Sequence, residues 1–140
     1  MREYKFRGRR IDNGEWVHGY LIEDRYIVGP VVEWTEDYFN TEFWLKVDPE
    51  TVGQYTGHKD RNGKEIYESD IVRGKHEEIG TIEYHHSWGA FYFKLHIGRN
   101  EYGELTKMIG SRPMYNDWNK LEVIGNIHEH PHLLKGEDDT

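Results

Sequence analysis

Three histidines near the C-terminus have a spacing that suits a metal site. His128, His130 and His132 recur at every second position, so an extended segment would place three imidazoles on one side. Imidazole nitrogen binds Zn²⁺ at about 2.0–2.1 Å. Pro131 interrupts such a strand, and exposed histidines of a tail are the competing interpretation. We keep the three as candidate metal ligands, but we predict no cofactor.

A second group of histidines lies in the middle of the chain. The adjacent pair His85 and His86 points to opposite faces if Ile82 to His86 is extended. One of the two could meet His76 or His96 in space, although no spacing in the sequence requires it. Satisfied or exposed histidines are the preferred interpretation here.

Acid–base catalysis needs positioned titratable groups with shifted pKa values. Glu65, Glu68 and Asp70 are close in sequence and next to a turn. In the structural interpretation, Asp70 accepts backbone N–H bonds and fixes the approach to Ile71, while the glutamates face water. Ser87 lacks the G-x-S-x-G context of a serine nucleophile, and no phosphate-binding or dinucleotide motif is present. We predict no catalytic residue.

Two clusters of basic residues are the candidate partner-binding sites. They are Lys5, Arg7 and Arg9 on a predicted strand, and Lys59, Arg61 and Lys64 around a predicted turn. Basic grooves with interleaved aromatic residues bind single-stranded nucleic acid in small β barrels. The formal net charge of −8 opposes that function, and a cationic edge that blocks strand addition explains the first cluster equally well.

Composition limits the class of protein. A chain of 140 residues fits one domain, and the absence of cysteine excludes disulfides and thiolate metal sites. No apolar run approaches the roughly 18 residues of a membrane span, and the first residues lack the apolar region of a signal peptide. We therefore predict a cytoplasmic protein without membrane contact. Residues 1–10 are basic and residues 33–50 acidic, which is compatible with head-to-tail self-association.

The elements that would position these groups are predicted to be strands. Alternation of polar and apolar residues indicates strands over Tyr4–Ile11, Trp16–Ile22 and Leu121–Ile127, and a hairpin over Ile79–Ile97. The first of these would carry a cationic outer face. Asn62-Gly63 predicts a type I′ hairpin turn, and Asn100–Gly110 a long loop.

Residues 31–47 are ambiguous, because helical offsets between their aromatic residues compete with a β-rich composition. Strand or irregular structure is slightly favoured there. The predicted fold is mainly β, either all-β or α+β with one or two short helices, with antiparallel hairpins in a small barrel-like or sandwich domain. The domain would span 1–135, with possible sub-parts of about 1–50 and 51–135, and 136–140 would be a flexible acidic tail.

Four segments of the sequence together resemble the YopX family of small phage and prophage proteins. They are KFRG with GEWV and GY near the start, TVGQYTG at 51–57, the stretch from Lys59 to Val72, and VIGNI at 123–127 leading to Leu133 and Leu134. The segments keep the family's order and span nearly the whole chain. Ser69 stands where the family usually has glycine, which brings a positive φ there into question. The family also usually has an apolar residue at the position of His58.

The resemblance implies a mostly β protein that acts inside a bacterial host, with no catalytic residue to carry over. We therefore expect a non-enzymatic accessory protein of a phage or prophage that binds a protein partner or itself through exposed β edges and aromatic patches. A nucleic-acid-binding β module is the alternative, and a metal-dependent enzyme is the second alternative.

Overall fold

A computed structural model describes residues 3–114 and 117–135. The described residues form antiparallel β-sheets joined by turns, with three short 3-10 turns and no α-helix. The prediction of a mainly β protein is confirmed. The predicted acidic tail at 136–140 lies outside the described residues. The chain divides into two compact units, residues 1–55 and residues 56–140.

The first unit contains one sheet and a separate two-stranded ribbon. Its strands are β1 (Phe6–Arg9), β2 (Trp16–Ile22), β3 (Tyr26–Val28), β4 (Val31–Trp34), β5 (Phe39–Thr41), β6 (Trp44–Lys46) and the start of β7 (Gly53–Lys59). The sheet has the order β6-β3-β2-β1-β7, and β4 pairs only with β5. The prediction of strand or irregular structure for residues 31–47 is therefore confirmed.

Close backbone packing in this sheet depends on Gly19 in β2. A Cβ atom at Gly19 would lie 2.2 Å from the carbonyl oxygen of Val28 in β3. That obstacle is backbone and cannot rotate away. Ile27 and Val47 are fully buried in this unit, so the small core is built from β3 and the residue that follows β6.

The predicted cationic outer face of the first strand is wrong for Arg7. Arg7 is buried, and its guanidinium carbon lies 5.0 Å from the centroid of the Trp16 ring. The physical reason is position in the sheet, since β1 lies between β2 and β7 and is not an edge strand. Its long side chain packs over an aromatic neighbour on β2 instead of entering water.

The second unit is built on a five-stranded antiparallel sheet. The five strands are β9 (Asp70–Arg73), β10 (Ile79–His85), β11 (Ala90–Arg99), β12 (Leu105–Pro113) and β13 (Glu122–Asn126), and a further short strand, β8 (Glu65–Tyr67), pairs with β7. The sheet has the order β12-β11-β10-β9-β13. Seven buried side chains form its core cluster: Ile66, Val72, Ile82, Phe93, Met114, Trp118 and Leu121.

The predicted long loop at Asn100–Gly110 is wrong over its second half. Strand β12 begins at Leu105 and pairs along β11. It is the edge of the sheet and most of its side chains are exposed, so it needs no regular alternation of apolar residues. The polar composition of this segment therefore led to the prediction of a loop where the structure has a strand.

The hairpin at Asn62-Gly63 is present, but its turn is not type I′. Among residues 61–63 only Gly63 has a positive φ, of 81°. The amide of Gly63 donates to the carbonyl of Asp60 at 3.0 Å, and the amide of Asp60 donates to the carbonyl of Lys64 at 2.8 Å. This is the pattern of a type I turn followed by a left-handed glycine.

Candidate functional site

A large exposed apolar surface lies on the segment Val31–Trp44, which we call the arm. Six apolar or aromatic side chains of the arm are between 50% and 77% exposed: Val31, Val32, Trp34, Tyr38, Phe39 and Trp44. All four residues of β4 are exposed, so neither face of this strand packs on a core. Clustered exposed aromatic residues of this kind are typical of interaction surfaces.

The conformation of the arm is fixed by local hydrogen bonds. The Thr35 amide donates to the carbonyl of Tyr38 at 2.7 Å, and Thr35 Oγ1 accepts from the amide of Asp37 at 3.2 Å. The hydroxyl of Tyr38 donates to Glu33 Oε1 at 3.0 Å. At the base, the Gly29 amide donates to the carbonyl of Phe43 at 2.9 Å. The arm is thus an ordered ribbon whose side chains are held out towards solvent.

The rim of the arm is acidic. Its exposed carboxylates are Glu33, Glu36, Asp37 and Glu42. The sequence has no lysine or arginine at 31–44, and Lys46 follows the arm at the end of β6. An apolar surface bordered by basic side chains would therefore match the arm best.

The first predicted basic cluster does not form one exposed surface. Lys5 Nζ lies 3.4 Å from a carboxylate oxygen of Glu3 and 5.1 Å from the centroid of the Tyr55 ring. Arg7 is buried, and Arg9 Nε donates to the carbonyl of Gly14 at 3.0 Å. These three side chains contribute to the packing of the first unit.

The second predicted cluster, Lys59–Lys64, is an exposed hairpin that we call the tip. Lys59, Arg61 and Lys64 are all exposed. Arg61 Nη2 contacts Glu122 Oε2 at 2.9 Å, and Arg73 contacts the other oxygen of the same carboxylate. Hydrogen bonds from Arg61 and Arg73 lower the pKa of Glu122 to about 2. Lys59 and Lys64 are therefore the basic side chains of the tip that a partner could contact. Nucleic-acid binding stays a prediction.

The three C-terminal histidines are not on one side of an extended segment. The chain turns directly after β13, where Asn126 Oδ1 accepts from the amide of His128 at 3.0 Å. His130 Nδ1 accepts from the amide of Asn126 at 3.2 Å. The extended arrangement that would align the three imidazoles is not adopted, because the asparagine side chain closes a turn. Within 3–114 and 117–135, no three histidine or acidic residues cluster closely enough to hold a metal ion.

The central histidine pair is engaged with aromatic neighbours. The ring of His85 stacks on that of Trp88 at 3.9 Å between centroids, and its Nδ1 accepts from the Trp88 amide at 3.2 Å. The ring of His86 meets Tyr84 edge-on at 5.2 Å. These histidines stabilise the turn between β10 and β11.

The acidic group near β8 has a structural role at Asp70. As predicted, the Asp70 carboxylate accepts a backbone N–H, from Tyr67 at 2.7 Å. The expectation that both glutamates face water is wrong for Glu65, which accepts from the Tyr67 hydroxyl at 3.1 Å. Glu68 lines a cavity.

That cavity, of about 340 Å³, was not predicted from the sequence. Its polar lining includes Glu68, Thr81, Glu83 and His96. Thr81 Oγ1 lies 2.8 Å from Glu83 Oε2 and 3.1 Å from His96 Nε2. Ile97 pairs with Ile79 and Leu95 with Gly80, so His96 is the extra residue of a β-bulge. Bulges redirect side chains, and sequence alternation alone could not show this one.

The folded protein is expected to lose stability as the pH falls below about 6.5, the ordinary pKa of histidine. Burial lowers the pKa of His96, nearby Lys94 adds to that effect, and Glu83 opposes it. Burial also lowers the pKa of His58, which stacks on Trp118. Because the unfolded chain then binds these protons at a higher pH than the folded protein does, protonation favours unfolding.

Urea denaturation at about pH 7.5 and about pH 5.5 tests this linkage. We expect the wild type to be less stable at the lower pH, and His96→Gln to show a smaller difference. Glu122, with a pKa of about 2, titrates outside this window. An equal loss in the variant would contradict the role of His96.

Two comparisons with known proteins find a match, one with a family model and one with a solved structure. A family model described as YopX protein matches residues 5–135. The crystal structure of protein EF1440 from Enterococcus faecalis is similar, with a TM-score of 0.57 and 24% sequence identity, covering 96% of this chain and 100% of that one. No curated protein matches the sequence. Among the described residues, no helix has the length and apolar character to cross a membrane.

Proposed function

The chain belongs to the YopX family, and from that premise we propose that it is a non-enzymatic accessory protein of a phage or prophage that assembles with copies of itself inside the host cell. The observation that carries this proposal is the arm, where six large apolar side chains stand in solvent on an ordered ribbon. Water-exposed apolar area of this kind is stabilised when a partner covers it.

The proposed partner surface is the tip of a second copy. The exposed lysines Lys59 and Lys64 would face the acidic rim of the arm, so that opposite charges border the apolar contact. A contact between different surfaces of two identical chains is heterologous and generates rings or filaments. The net charge of −8 on each copy opposes association at long range. Residues 59–64 are polar or glycine, so the aromatic rings of the arm would pack on the alkyl stems of the two lysines and beneath their ammonium groups, and these contacts must supply the affinity.

Replacing two aromatic residues of the arm is expected to weaken assembly strongly. In the double variant Trp34→Ala/Phe39→Ala, loss of two aromatic anchors should weaken self-association by at least about 100-fold, because such anchors dominate interface energies. Sedimentation velocity over a concentration series measures the change. Tyr102→Ala is the matched control, since Tyr102 is 79% exposed but belongs to neither the arm nor the tip, and it should assemble like the wild type.

Charge reversal at the tip tests whether the tip, and not another surface of the second copy, contacts the arm. Lys59→Glu/Lys64→Glu should also weaken assembly if the tip contacts the arm. If the arm variant weakens assembly and the tip variant does not, the arm meets a different surface of the second copy. A wild type that remains monomeric throughout the series would overturn self-assembly.

A further inference from the structure

The cavity of the second unit has a lining that combines carboxylates with apolar side chains. Glu68 and Glu83 supply carboxylates, while Tyr84, Ile127 and Leu134 supply apolar surface. Its volume of about 340 Å³ is in the range of small-ligand sites. Such a lining suits a ligand with a positive head and an apolar stem.

The charges around the cavity favour a cation over an anion. Burial lowers the pKa of His96, which favours the uncharged imidazole. Lys94 Nζ is 3.8 Å from Glu83 Oε2, a long ion pair, and Lys94 is not part of the lining. Among the described residues, no lysine or arginine lines the cavity. Phosphate and carboxylate ligands would thus meet the carboxylates of Glu68 and Glu83, which repel anions.

The hydrogen-bonded groups are fixed before a ligand arrives. Thr81, which is 2% exposed, holds Glu83 through Oγ1 at 2.8 Å and contacts His96 Nε2 at 3.1 Å. Ser69 has a φ of 74°, its amide donates to the carbonyl of Ile82 at 2.7 Å, and its carbonyl accepts from the amide of Ile127 at 3.0 Å. A non-glycine residue is strained in this conformation, and here two backbone hydrogen bonds hold it.

We propose that this cavity is a binding site for an alkylguanidinium group, the group that ends an arginine side chain. A guanidinium is planar, carries five N–H donors and is weakly hydrated, so it can bond carboxylates while its faces pack on an aromatic ring. Glu68 and Glu83 would accept from it, and Tyr84, Ile127 and Leu134 would pack on its stem. This inference goes beyond the proposed function and does not depend on the arm.

Titration with n-butylguanidinium, followed by amide NMR shifts at Ser69 and Ile127, tests the site. A ligand of this size should bind with a dissociation constant of roughly millimolar order. Butyrate, the anion of similar length, should not shift these resonances. Glu83→Gln keeps an oxygen that accepts from Thr81 and should weaken binding by about tenfold through loss of the charge. Glu101→Gln, an exposed position outside the cavity, should leave binding unchanged.

A second variant keeps the test decisive if Glu83→Gln fails to fold. Leu134→Ala removes part of the apolar wall without altering charge and should also weaken binding. A blocked peptide containing one arginine distinguishes the two sources of the group: tighter binding of the peptide points to a partner's side chain, and binding of n-butylguanidinium alone to a small molecule. Equal binding of butyrate, or full binding by both variants, would overturn the proposal.

Discussion

Asp60→Ala is expected to destabilise the protein by about 3–5 kcal/mol, a large fraction of the free energy of unfolding of a typical domain. Asp60 is only 4% exposed. Its Oδ1 accepts from the amides of Asn62 at 2.9 Å and Lys64 at 2.8 Å, and its Oδ2 accepts from the amide of Val123 at 2.9 Å. One carboxylate thus shapes the tip and ties it to β13.

The expected magnitude follows from three donors that would lose a charged acceptor together. Each buried donor left unsatisfied costs about 1–3 kcal/mol. Water can reach the amides of Asn62 and Lys64 on an exposed turn, so their cost lies at the low end. The amide of Val123 is on a partly buried strand and should cost more. The three contributions are not strictly additive.

Urea denaturation of the purified protein measures the effect. Glu101→Ala deletes an exposed carboxylate of the same unit and should change stability by less than about 0.5 kcal/mol. Asp60→Asn keeps one acceptor oxygen and should fall between the two. If Asp60→Ala were as stable as Glu101→Ala, the three hydrogen bonds would have no net energetic role.

Asp60 also shows where the sequence stops being informative. The turn that it begins was predictable, because Asn62-Gly63 is a local signal. Its bond to Val123 spans 63 residues of sequence, and no local pattern indicates such a partner. The turn type was mistaken for a related reason, since the side chain of Asp60 selects a type I turn with glycine alone at positive φ.

Strand positions were predictable where a strand has one buried and one exposed face. The hairpin of β10 and β11 alternates clearly and was found. Alternation could not show that β1 lies inside its sheet, and so the burial of Arg7 was missed. Nor could it show β12, an edge strand with little buried surface.

Ser69 illustrates a limit of inference from residue type. Serine argues against a positive φ, yet Ser69 adopts 74°. Its amide and its carbonyl both bond neighbouring segments, to Ile82 and from Ile127, so tertiary hydrogen bonds override the local preference. The cavity that Ser69 lines is formed by residues between 68 and 134. Because these residues are far apart in the sequence, no local motif predicts the cavity.

The composition of the arm could be read from the sequence, but the exposure of its side chains could not. Its aromatic residues and acidic charge are plain in residues 31–47, but a buried cluster would have the same composition. Only the isolated pairing of β4 with β5 turns these aromatic residues outward. The exposure of these side chains distinguishes a docking surface from a core. That exposure depends on which strands the ribbon pairs with.

Truncation to alanine is expected to have opposite consequences at Phe93 and at Phe39. Phe93 is 1% exposed in the core cluster, beneath the guanidinium of Arg112 at 4.6 Å. Phe93→Ala should cost about 3–5 kcal/mol through lost burial and a residual cavity. Phe39 is 60% exposed, so Phe39→Ala should cost less than about 0.5 kcal/mol.

The same pair of variants then separates stability from assembly. Phe39→Ala should denature in urea like the wild type and yet associate more weakly in sedimentation, because its ring has apolar contacts to gain only from a partner. Phe93→Ala should show the reverse wherever it remains folded. If Phe39→Ala instead lost stability on the scale of Phe93→Ala, its ring would belong to the folded core. The arm would then be a structural element, and another surface would have to account for any assembly.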